Sequence, residues 1–337
     1  MSTPGLPPDQ AGHQVLPSRS LAPLDRGGGP VIHLERASLR YGDILGLSPT
    51  SFTLEETGGI TGLLGPNGAG KSSLIQLLTG LLSPSGGTVE VFGESPFRNP
   101  NVLRRIGLVP EGDRFPVGLK ARNWLVMMGE LSGLTGQALD QAVDKGLEVV
   151  GMAHRAHLKF SEMSKGMRQR IRMAQSLLHD PDLLILDEPF NGLDPEARLQ
   201  LMDLLRTLAA AGKRVIVSSH ILGEVAQLTD RILLLFRGRL LAEGGVAEIR
   251  ELLDRHPVEL RVVSDVPQAV ARWAVEQPEL VALRMEESGA VLAVRNPRSF
   301  LPRFQVEVAK GNLAVKALDP LDLNLDAVFQ FLTKDHQ

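Results

Sequence analysis

The feature that most constrains this 337-residue chain is a glycine-rich loop between an apolar strand and a helix. Residues 65–72 read Gly-Pro-Asn-Gly-Ala-Gly-Lys-Ser, which fits the pattern G-x-x-x-x-G-K-[ST]. Residues 59–64 before the loop read as a strand, and residues 72–79 after it read as a helix that stops at Gly80. Glycines let backbone N–H groups turn toward one point, and the start of a helix adds further donors. The loop therefore predicts a phosphate-binding site.

The side chains of this loop have expected tasks. The ammonium of Lys71 is expected to reach the β- and γ-phosphates of a nucleotide, and the hydroxyl of Ser72 is expected to bind Mg²⁺. A glycine-rich turn without function would lack the strand and helix that flank this one. The predicted nucleotide-binding residues of the loop and the following helix are Gly65, Pro66, Asn67, Gly68, Ala69, Gly70, Lys71, Ser72 and Ser73.

Two acids end a second apolar strand. Residues 183–186 read Leu-Leu-Ile-Leu and are followed by Asp187 and Glu188. A strand buried on both faces of a parallel α/β sheet brings its C-terminal residues to the ligand crevice. There we expect Asp187 to bind Mg²⁺, directly or through water, and Glu188 to polarise a water for attack on the γ-phosphate. A solvated pair of acids at a strand end is the competing interpretation, so the prediction depends on the phosphate loop lying on the same sheet.

The alternation of short apolar runs with helical stretches predicts an α/β fold with a mostly parallel core sheet. Residues 215–218 and 232–236 read as further buried strands, with a helix expected at about 195–211. The pattern at about 112–170 is mostly helical and predicts a helical subdomain.

We divide the chain into three parts. Residues 1–30 contain six prolines and five glycines and are predicted to be a disordered tail. Residues 31–250 carry the phosphate loop and the two acids. Residues 251–337 give weaker signals for short strands and helices, including a helix at 325–333, and are predicted to form a small C-terminal α+β domain.

Composition excludes several classes of protein. The chain has 36 basic and 39 acidic side chains, a balance that disfavours nucleic acid as the main partner. It contains no cysteine, which excludes a disulfide framework and thiol catalysis. The longest apolar runs, such as residues 232–236, are far shorter than the roughly 20 residues that span a bilayer, so we expect no membrane span.

Several ordered motifs over about residues 31–250 resemble the ATPase subunit of an ATP-binding-cassette (ABC) transporter. Residues 163–167, Met-Ser-Lys-Gly-Met, resemble the family's signature Leu-Ser-Gly-Gly-Gln. Residues 191–194, Asn-Gly-Leu-Asp, resemble the loop after the catalytic acid, and residues 218–220, Ser-Ser-His, resemble the segment with the switch histidine. Residues 40–42, Arg-Tyr-Gly, resemble the segment whose aromatic ring stacks on adenine.

The resemblance implies a fold, an activity and site residues. It implies a P-loop NTPase with an antiparallel β part and a helical subdomain beside the core sheet, which hydrolyses ATP with Mg²⁺ to drive transport. Glu188 and His220 would be catalytic, and Ser72, Glu111 and Asp187 would bind the metal. The further ATP-binding residues that it implies are Tyr41, Ser164, Gly166 and Asp194.

The resemblance also implies partners. Two ABC subunits, here expected to be a homodimer, bind two ATP molecules head to tail, and each supplies its signature to the partner's ATP. An integral membrane permease would dock at about residues 111–124, which would hold the chain at the cytoplasmic face of the cell membrane. The run Ser-Lys-Gly-Met-Arg-Gln-Arg at 164–170 and the stretch 321–333 resemble the exporter-type branch.

Four positions depart from the family pattern, and two alternatives stay open. Glu111 replaces a glutamine, Lys165 replaces the first signature glycine, Met167 replaces the final signature glutamine, and Phe190 replaces a small polar residue. A carboxylate such as that of Glu111 can bind Mg²⁺ but cannot donate a hydrogen bond while ionised.

One alternative function is that of a soluble ABC ATPase acting on ribosomes or nucleic acid, which the single cassette and the mild acidity oppose. The other is a regulatory cassette that binds ATP without hydrolysis, which the presence of Glu188 and His220 opposes.

Overall fold

The structure is a computed structural model. It describes residues 30–55, 59–112, 114–229, 231–245, 248 and 257–320. The predicted tail, apart from Pro30, and the predicted helix at 325–333 lie outside these residues. Within the described part of the chain, no helix combines the length and the apolar character that crossing a bilayer requires.

Strands and helices alternate along the described chain. The strands are β1 (Ile32–Tyr41), β2 (Ile44–Leu54), β3 (Gly59–Leu64), β4 (Gly86–Val91), β5 (Ile106–Val109), β6 (Leu183–Leu186), β7 (Arg214–Ser219), β8 (Arg231–Phe236), β9 (Arg239–Gly245), β10 (Val258–Ser264), β11 (Leu280–Glu286), β12 (Gly289–Val294) and β13 (Val315–Pro320). The helices are α1 (Lys71–Leu78), α2 (Pro100–Leu103), α3 (Ala121–Leu131), α4 (Gly136–Val149), α5 (Lys165–Leu177), α6 (Pro195–Ala210), α7 (Leu222–Leu228), α8 (Pro267–Val275) and α9 (Pro297–Ala309). Short 3₁₀ turns lie at Ala153–Arg155 and Phe160–Glu162.

The core sheet has the strand order β5-β6-β7-β3-β8-β9. Neighbouring strands from β5 to β8 are parallel, and β9 is antiparallel to β8. All four residues of β6 are buried, as a strand covered on both faces requires. The carboxyl ends of β6, β7 and β3 therefore lie side by side at one edge of the sheet, and this edge is where ligands bind in open α/β folds.

The chain also forms a second sheet and a helical region, which lies between β5 and β6 in sequence. The second sheet is antiparallel, with the order β2-β1-β4. Helices α3, α4 and α5 contact one another and form the helical region predicted at about 112–170. The predicted fold class is confirmed.

The described C-terminal residues form a four-stranded sheet of order β11-β12-β10-β13, in which all neighbours are antiparallel. The element order β-α-β-β-α-β is that of a ferredoxin-like unit. Phe300 and Phe304 are buried in its core, and the Trp273 ring packs against both. The sequence pattern predicts strands at 258–263, 281–285 and 290–294 and helices at 267–275 and 298–308, which agree with β10, β11, β12, α8 and α9. It does not predict β13. The boundaries proposed between the three parts of the chain stay predictions.

Candidate nucleotide site

Strand β3 carries the predicted phosphate loop to the ligand edge of the sheet. Gly68 and Gly70 have φ angles of 78° and 101°, which L side chains rarely adopt. A Cβ atom on Gly70 would lie 2.8 Å from the carbonyl oxygen of Gly46, so the loop also needs glycine there for close approach. Helix α1 then begins at Lys71 without a side-chain cap. Its first N–H groups thus have no side-chain acceptor at the cap, as an anion site at a helix start requires.

The side chain of Lys71 lies buried beneath its own loop. Its Nζ donates hydrogen bonds to the carbonyl oxygens of Gly65 at 2.6 Å and Pro66 at 3.1 Å. The same Nζ lies 3.0 Å from Oε1 of Glu188. The loop therefore holds a desolvated cation next to the N–H groups of α1, and this combination suits the terminal phosphates of a nucleotide.

Asp187 is buried at the end of β6 and receives a hydrogen bond on each carboxylate oxygen. Ser72 Oγ donates to Oδ2 at 2.9 Å, and Ser218 Oγ donates to Oδ1 at 2.6 Å. The sheet thus brings the loop serine against an acid 115 positions away. A hydroxyl oxygen beside a carboxylate oxygen is a donor set that fits Mg²⁺, which prefers oxygen ligands.

Glu188 is also buried, and its backbone adopts a left-handed conformation with φ of 47°. This conformation is costly for a residue other than glycine and persists when its surroundings hold it. Here Ser218 Oγ accepts a hydrogen bond from the Glu188 backbone N–H at 2.7 Å. Oε2 lies 3.0 Å from Nδ1 of His220, while Oε1 has no hydrogen-bond partner among the described residues despite its proximity to Lys71. This oxygen is ion-paired with Lys71 but meets no described donor in hydrogen-bond geometry, so it can still accept a hydrogen bond from a water.

Ser218 is a residue of this site that the motif analysis did not single out. It is fully buried at the end of β7, and its hydroxyl bridges Asp187 and the backbone of Glu188. Its position two residues before His220 was the available signal in the sequence. The contact itself depends on β7 lying beside β6.

Tyr41 lies next to the start of α1. Its hydroxyl donates to Oε1 of Gln76 at 2.6 Å and lies 3.3 Å from Oγ of Ser73. The ring covers Gly46, since a Cβ there would lie 2.5 Å from ring atom Cε2. The residue is 43% exposed, which leaves ring surface available for stacking on a base.

Glu111 is exposed and follows β5, the strand beside β6. It therefore lies at the same edge of the sheet as Asp187.

The three predicted ATP contacts of the signature region lie together. Ser164 caps α5 by accepting a hydrogen bond from the N–H of Met167, and Asp194 caps α6 by accepting one from the N–H of Ala197. A Cβ on Gly166 would lie 3.2 Å from the Cβ of Ala197, so the two helix starts pack closely. Ser164, Gly166 and Asp194 line a pocket of about 400 Å³, whose described lining residues include none from the phosphate loop.

Two of the departures from the family pattern have structural explanations. The Lys165 side chain lies over Gly192, where a Cβ would come within 2.3 Å of Nζ. Gly192 has φ of 68°, a backbone conformation that favours glycine, whereas the flexible Lys165 side chain could move aside. Phe190 is 1% exposed and packs in the hydrophobic core of the helical region.

Comparisons with known proteins agree with this geometry. Residues 47–191 match the family model described as ABC transporter. The chain is 38% identical over 214 residues to Nod factor export ATP-binding protein I of Burkholderia lata, covering 63% of this chain and 70% of that protein. It is 35% identical over 277 residues to the daunorubicin/doxorubicin resistance ATP-binding protein DrrA of Streptomyces peucetius, covering 81% and 84%.

Solved structures of ABC transporter ATP-binding subunits have a similar fold. An ATP-binding subunit of an ABC transporter superposes with a TM-score of 0.58 at 27% identity, covering 66% of this chain and 92% of that one. The ADP conformation of an ATP-binding cassette superposes with a TM-score of 0.60 at 23% identity, covering 66% and 94%, and supports the fold.

The fold and the site thus define a P-loop ATPase, with a phosphate loop, an acid-tipped strand and a histidine at one sheet edge. Within that class, the chain belongs to the ABC transporter family, as an ATP-binding subunit. It binds ATP, and its activity is ATP hydrolysis coupled to transport. The prediction of this family and activity from the sequence is confirmed.

Proposed function

We propose that this subunit hydrolyses ATP at the sheet edge with Glu188 and His220 as catalytic residues. The position of Glu188 carries the proposal, because its Oε1 lies 3.0 Å from Nζ of Lys71 and its Oε2 lies 3.0 Å from Nδ1 of His220. The carboxylate of Glu188 polarises the attacking water, and His220 holds that carboxylate and reaches toward the γ-phosphate.

The phosphates of ATP bind to the backbone of residues 65–73 and to Lys71. Ser72 and Asp187 hold Mg²⁺ with Glu111 as a further ligand, and Tyr41 stacks on adenine. The bound Mg²⁺ supplies charge neutralisation on the β- and γ-phosphate oxygens. The hydroxyl–carboxylate pair of Ser72 and Asp187 supports this assignment.

Two copies of the chain sandwich two ATP molecules. The pocket of Ser164, Gly166 and Asp194 is lined by residues other than those of the phosphate loop, which supports their contact with the ATP of a second subunit. The start of α5 there presents the positive end of a helix dipole to the γ-phosphate. A homodimer is the simplest assembly in which each of the two ATP molecules contacts the phosphate loop of one subunit and the signature region of the other.

A membrane permease docks on the segment at about residues 111–124 and holds the subunit at the cytoplasmic face of the cell membrane. The direction of transport is export, since both relatives named above are export or drug-resistance proteins. Within the segment, Phe115 and Trp124 pack against Phe160, whereas Val117 is 71% exposed. Val117 is therefore a better candidate for permease contact than the aromatic residues.

The decisive experiment measures ATP affinity of the purified chain with and without Mg²⁺, together with its mass by light scattering. We expect Mg²⁺-dependent binding and an ATP-dependent dimer, most stable in a Glu188→Gln variant in which turnover is suppressed. Absence of Mg²⁺-dependent ATP binding would contradict the proposed site. Binding without dimer formation would contradict the composite site alone.

A further inference from the structure

A buried arginine on α5 joins the signature helix to the loop that carries Glu111. Arg172 is 7% exposed, and its Nη1 donates to the carbonyl oxygen of Pro110 at 3.2 Å and to that of Gly112. These two carbonyls flank Glu111 on either side. We call residues 110–112 the Glu111 loop. The guanidinium therefore holds the backbone of this loop from both ends.

The contact continues through an aromatic cluster. The Arg172 guanidinium lies 4.7 Å from the centroid of the Phe115 ring, in cation–π geometry. Phe115 stacks on Phe160 with ring centroids 4.2 Å apart and meets the edge of Trp124 at 5.6 Å. Trp124 Nε1 in turn donates to Oε1 of Gln175 at 2.9 Å.

Both contacts come from one face of α5. Arg172 and Gln175 are three residues apart and therefore project from the same side of the helix. The residue eight positions before Arg172 is Ser164, which caps the start of α5. Because an α-helix rises about 1.5 Å per residue, Arg172 lies only about 12 Å along the axis from the signature end. A displacement of the Glu111 loop is therefore passed to that end by a stiff element.

Arginine suits this position for a geometric reason. A buried charge needs hydrogen bonds, and the two N–H groups of Nη1, fixed in the guanidinium plane, can serve two carbonyls at set angles. A lysine ammonium is a point donor on a flexible chain and would fix the loop less tightly. An apolar side chain would fill the space but would offer no donor to either carbonyl.

We propose that Arg172 is a positioning residue that fixes the Glu111 loop to α5, so that the loop and the signature end of α5 move together when ATP and Mg²⁺ bind. The inference rests on the proposed role of Glu111 as a metal ligand. The inference goes beyond that role because Arg172 belongs neither to the Glu111 loop nor to the signature. It assigns to this residue the coupling of the two motifs within one subunit.

The chain carries its own reporter for this coupling. It has two tryptophans, so Trp273→Phe leaves Trp124 as the only one. In this background, with Glu188→Gln to suppress turnover, Trp124 emission is followed while Mg²⁺ is titrated at saturating ATP. The test variants are Arg172→Met and Arg172→Lys. The control is Arg206→Met, an exposed arginine that also donates to a backbone carbonyl, that of Gln227 at 2.8 Å.

With Arg172 present, we expect an emission change at a defined Mg²⁺ midpoint. In Arg172→Met, the emission change should become smaller and approach the signal recorded without Mg²⁺. The Mg²⁺ concentration at its midpoint should rise about 10- to 100-fold, as it does when a metal ligand loses an outer-shell partner. Arg172→Lys should lie between, and Arg206→Met should match the parent. ATP affinity in excess chelator should stay the same in all four chains. Adding Glu111→Ala to Arg172→Met should give no further rise in midpoint.

Each of four results would overturn the inference. The first is an Arg172→Met chain with unchanged amplitude and midpoint. The second is a parallel loss of ATP affinity in chelator, which would show that Arg172 supports the site as a whole. The third is failure of both Arg172 variants to fold. If the parent chain binds ATP but gives no Mg²⁺ response, the metal role of Glu111 fails, and the inference falls with it.

Discussion

The ammonium of Lys71 lies 3.0 Å from Oε1 of Glu188, and both side chains are buried. The cation expected to bind phosphate and the carboxylate expected to polarise water therefore neutralise each other in the structure. We expect the ATP phosphates to offer Lys71 further anionic partners and so to weaken its pairing with Glu188. On this hypothesis, nucleotide binding makes the Glu188 carboxylate available to a water molecule.

Replacing Glu188 by glutamine should separate binding from hydrolysis. The change keeps the side-chain shape but removes the charge that polarises water, so turnover should fall by about 10²- to 10⁴-fold. ATP affinity should be retained or increased, because Lys71 no longer has a carboxylate competing with phosphate. Phosphate release and equilibrium nucleotide binding measure the two effects, with Glu130→Gln on the exposed face of α3 as control. Normal hydrolysis by the Glu188 variant would show that another group is the base.

Replacing Lys71 by methionine should abolish nucleotide binding and destabilise the free chain. It leaves Glu188 buried without its cation, a loss worth about 3–5 kcal/mol for broken buried pairs. A double variant with Glu188→Gln should recover part of this stability, because the two changes are coupled, but should not recover ATP binding. Denaturant unfolding and ATP titration measure both quantities. The phosphate-loop assignment would be wrong if Lys71→Met bound ATP as the parent does.

The sequence predicted those parts of the fold and site that depend on local pattern. The glycine loop, the apolar strands and the acids after Leu186 follow directly from residue order, and the structure contains the expected strands. The hydrogen bonds of Ser218 do not follow from order, since they require β7 to lie beside β6 in parallel register. The position of Lys165 over Gly192 does not follow from residue order either, since it is a contact between the start of α5 and the turn before α6.

Strand β13 shows a different limit of the sequence. Its residues, Val-Lys-Ala-Leu-Asp-Pro, lack a strong alternating pattern and end in proline. The strand forms because β10 offers it an edge, which is a tertiary cause. Propensity alone is too weak to predict such a strand.

Replacing Ser218 by alanine should lower turnover, because it removes the hydrogen bonds that hold Glu188 and Asp187 in position. The Glu188 N–H and Asp187 Oδ1 would each lose a partner at 2.7 Å and 2.6 Å, at a cost of about 1–3 kcal/mol in stability. Because Glu188 would then relax from its left-handed conformation, kcat should fall while KM for ATP stays nearly constant. Ser176→Ala is the matched control, since its buried hydroxyl donates only to Met173 O within α5. Equal kcat in the two variants would contradict the positioning role.

The C-terminal unit should be sensitive to acid through Glu279. The hydrogen bond from Ser299, at 2.7 Å, lowers the pKa of Glu279 below 4.5, and Arg303 adds to this effect. A carboxyl whose folded pKa is depressed stabilises the fold above the unfolded value and loses that contribution as pH falls through the folded pKa. Trp273 fluorescence during denaturant unfolding, in a Trp124→Phe chain, should report this loss below pH 4.5. Ser299→Ala should show a weaker acid dependence, and an identical profile would contradict the assignment.

The exposed side chain of Val117 provides the test of permease docking. It is 71% exposed, and its backbone is held because its carbonyl accepts a hydrogen bond from the N–H of Ser161 at 3.1 Å. A rigid loop with an exposed apolar tip is suited to insert into a pocket on a partner. Val117→Asp should therefore weaken sedimentation of the subunit with membranes from the source cells that have been stripped of peripheral proteins, while basal ATPase activity stays the same. Leu199→Asp, at a 54% exposed leucine on α6, is the control. Equal sedimentation of the two variants would remove Val117 from the docking surface.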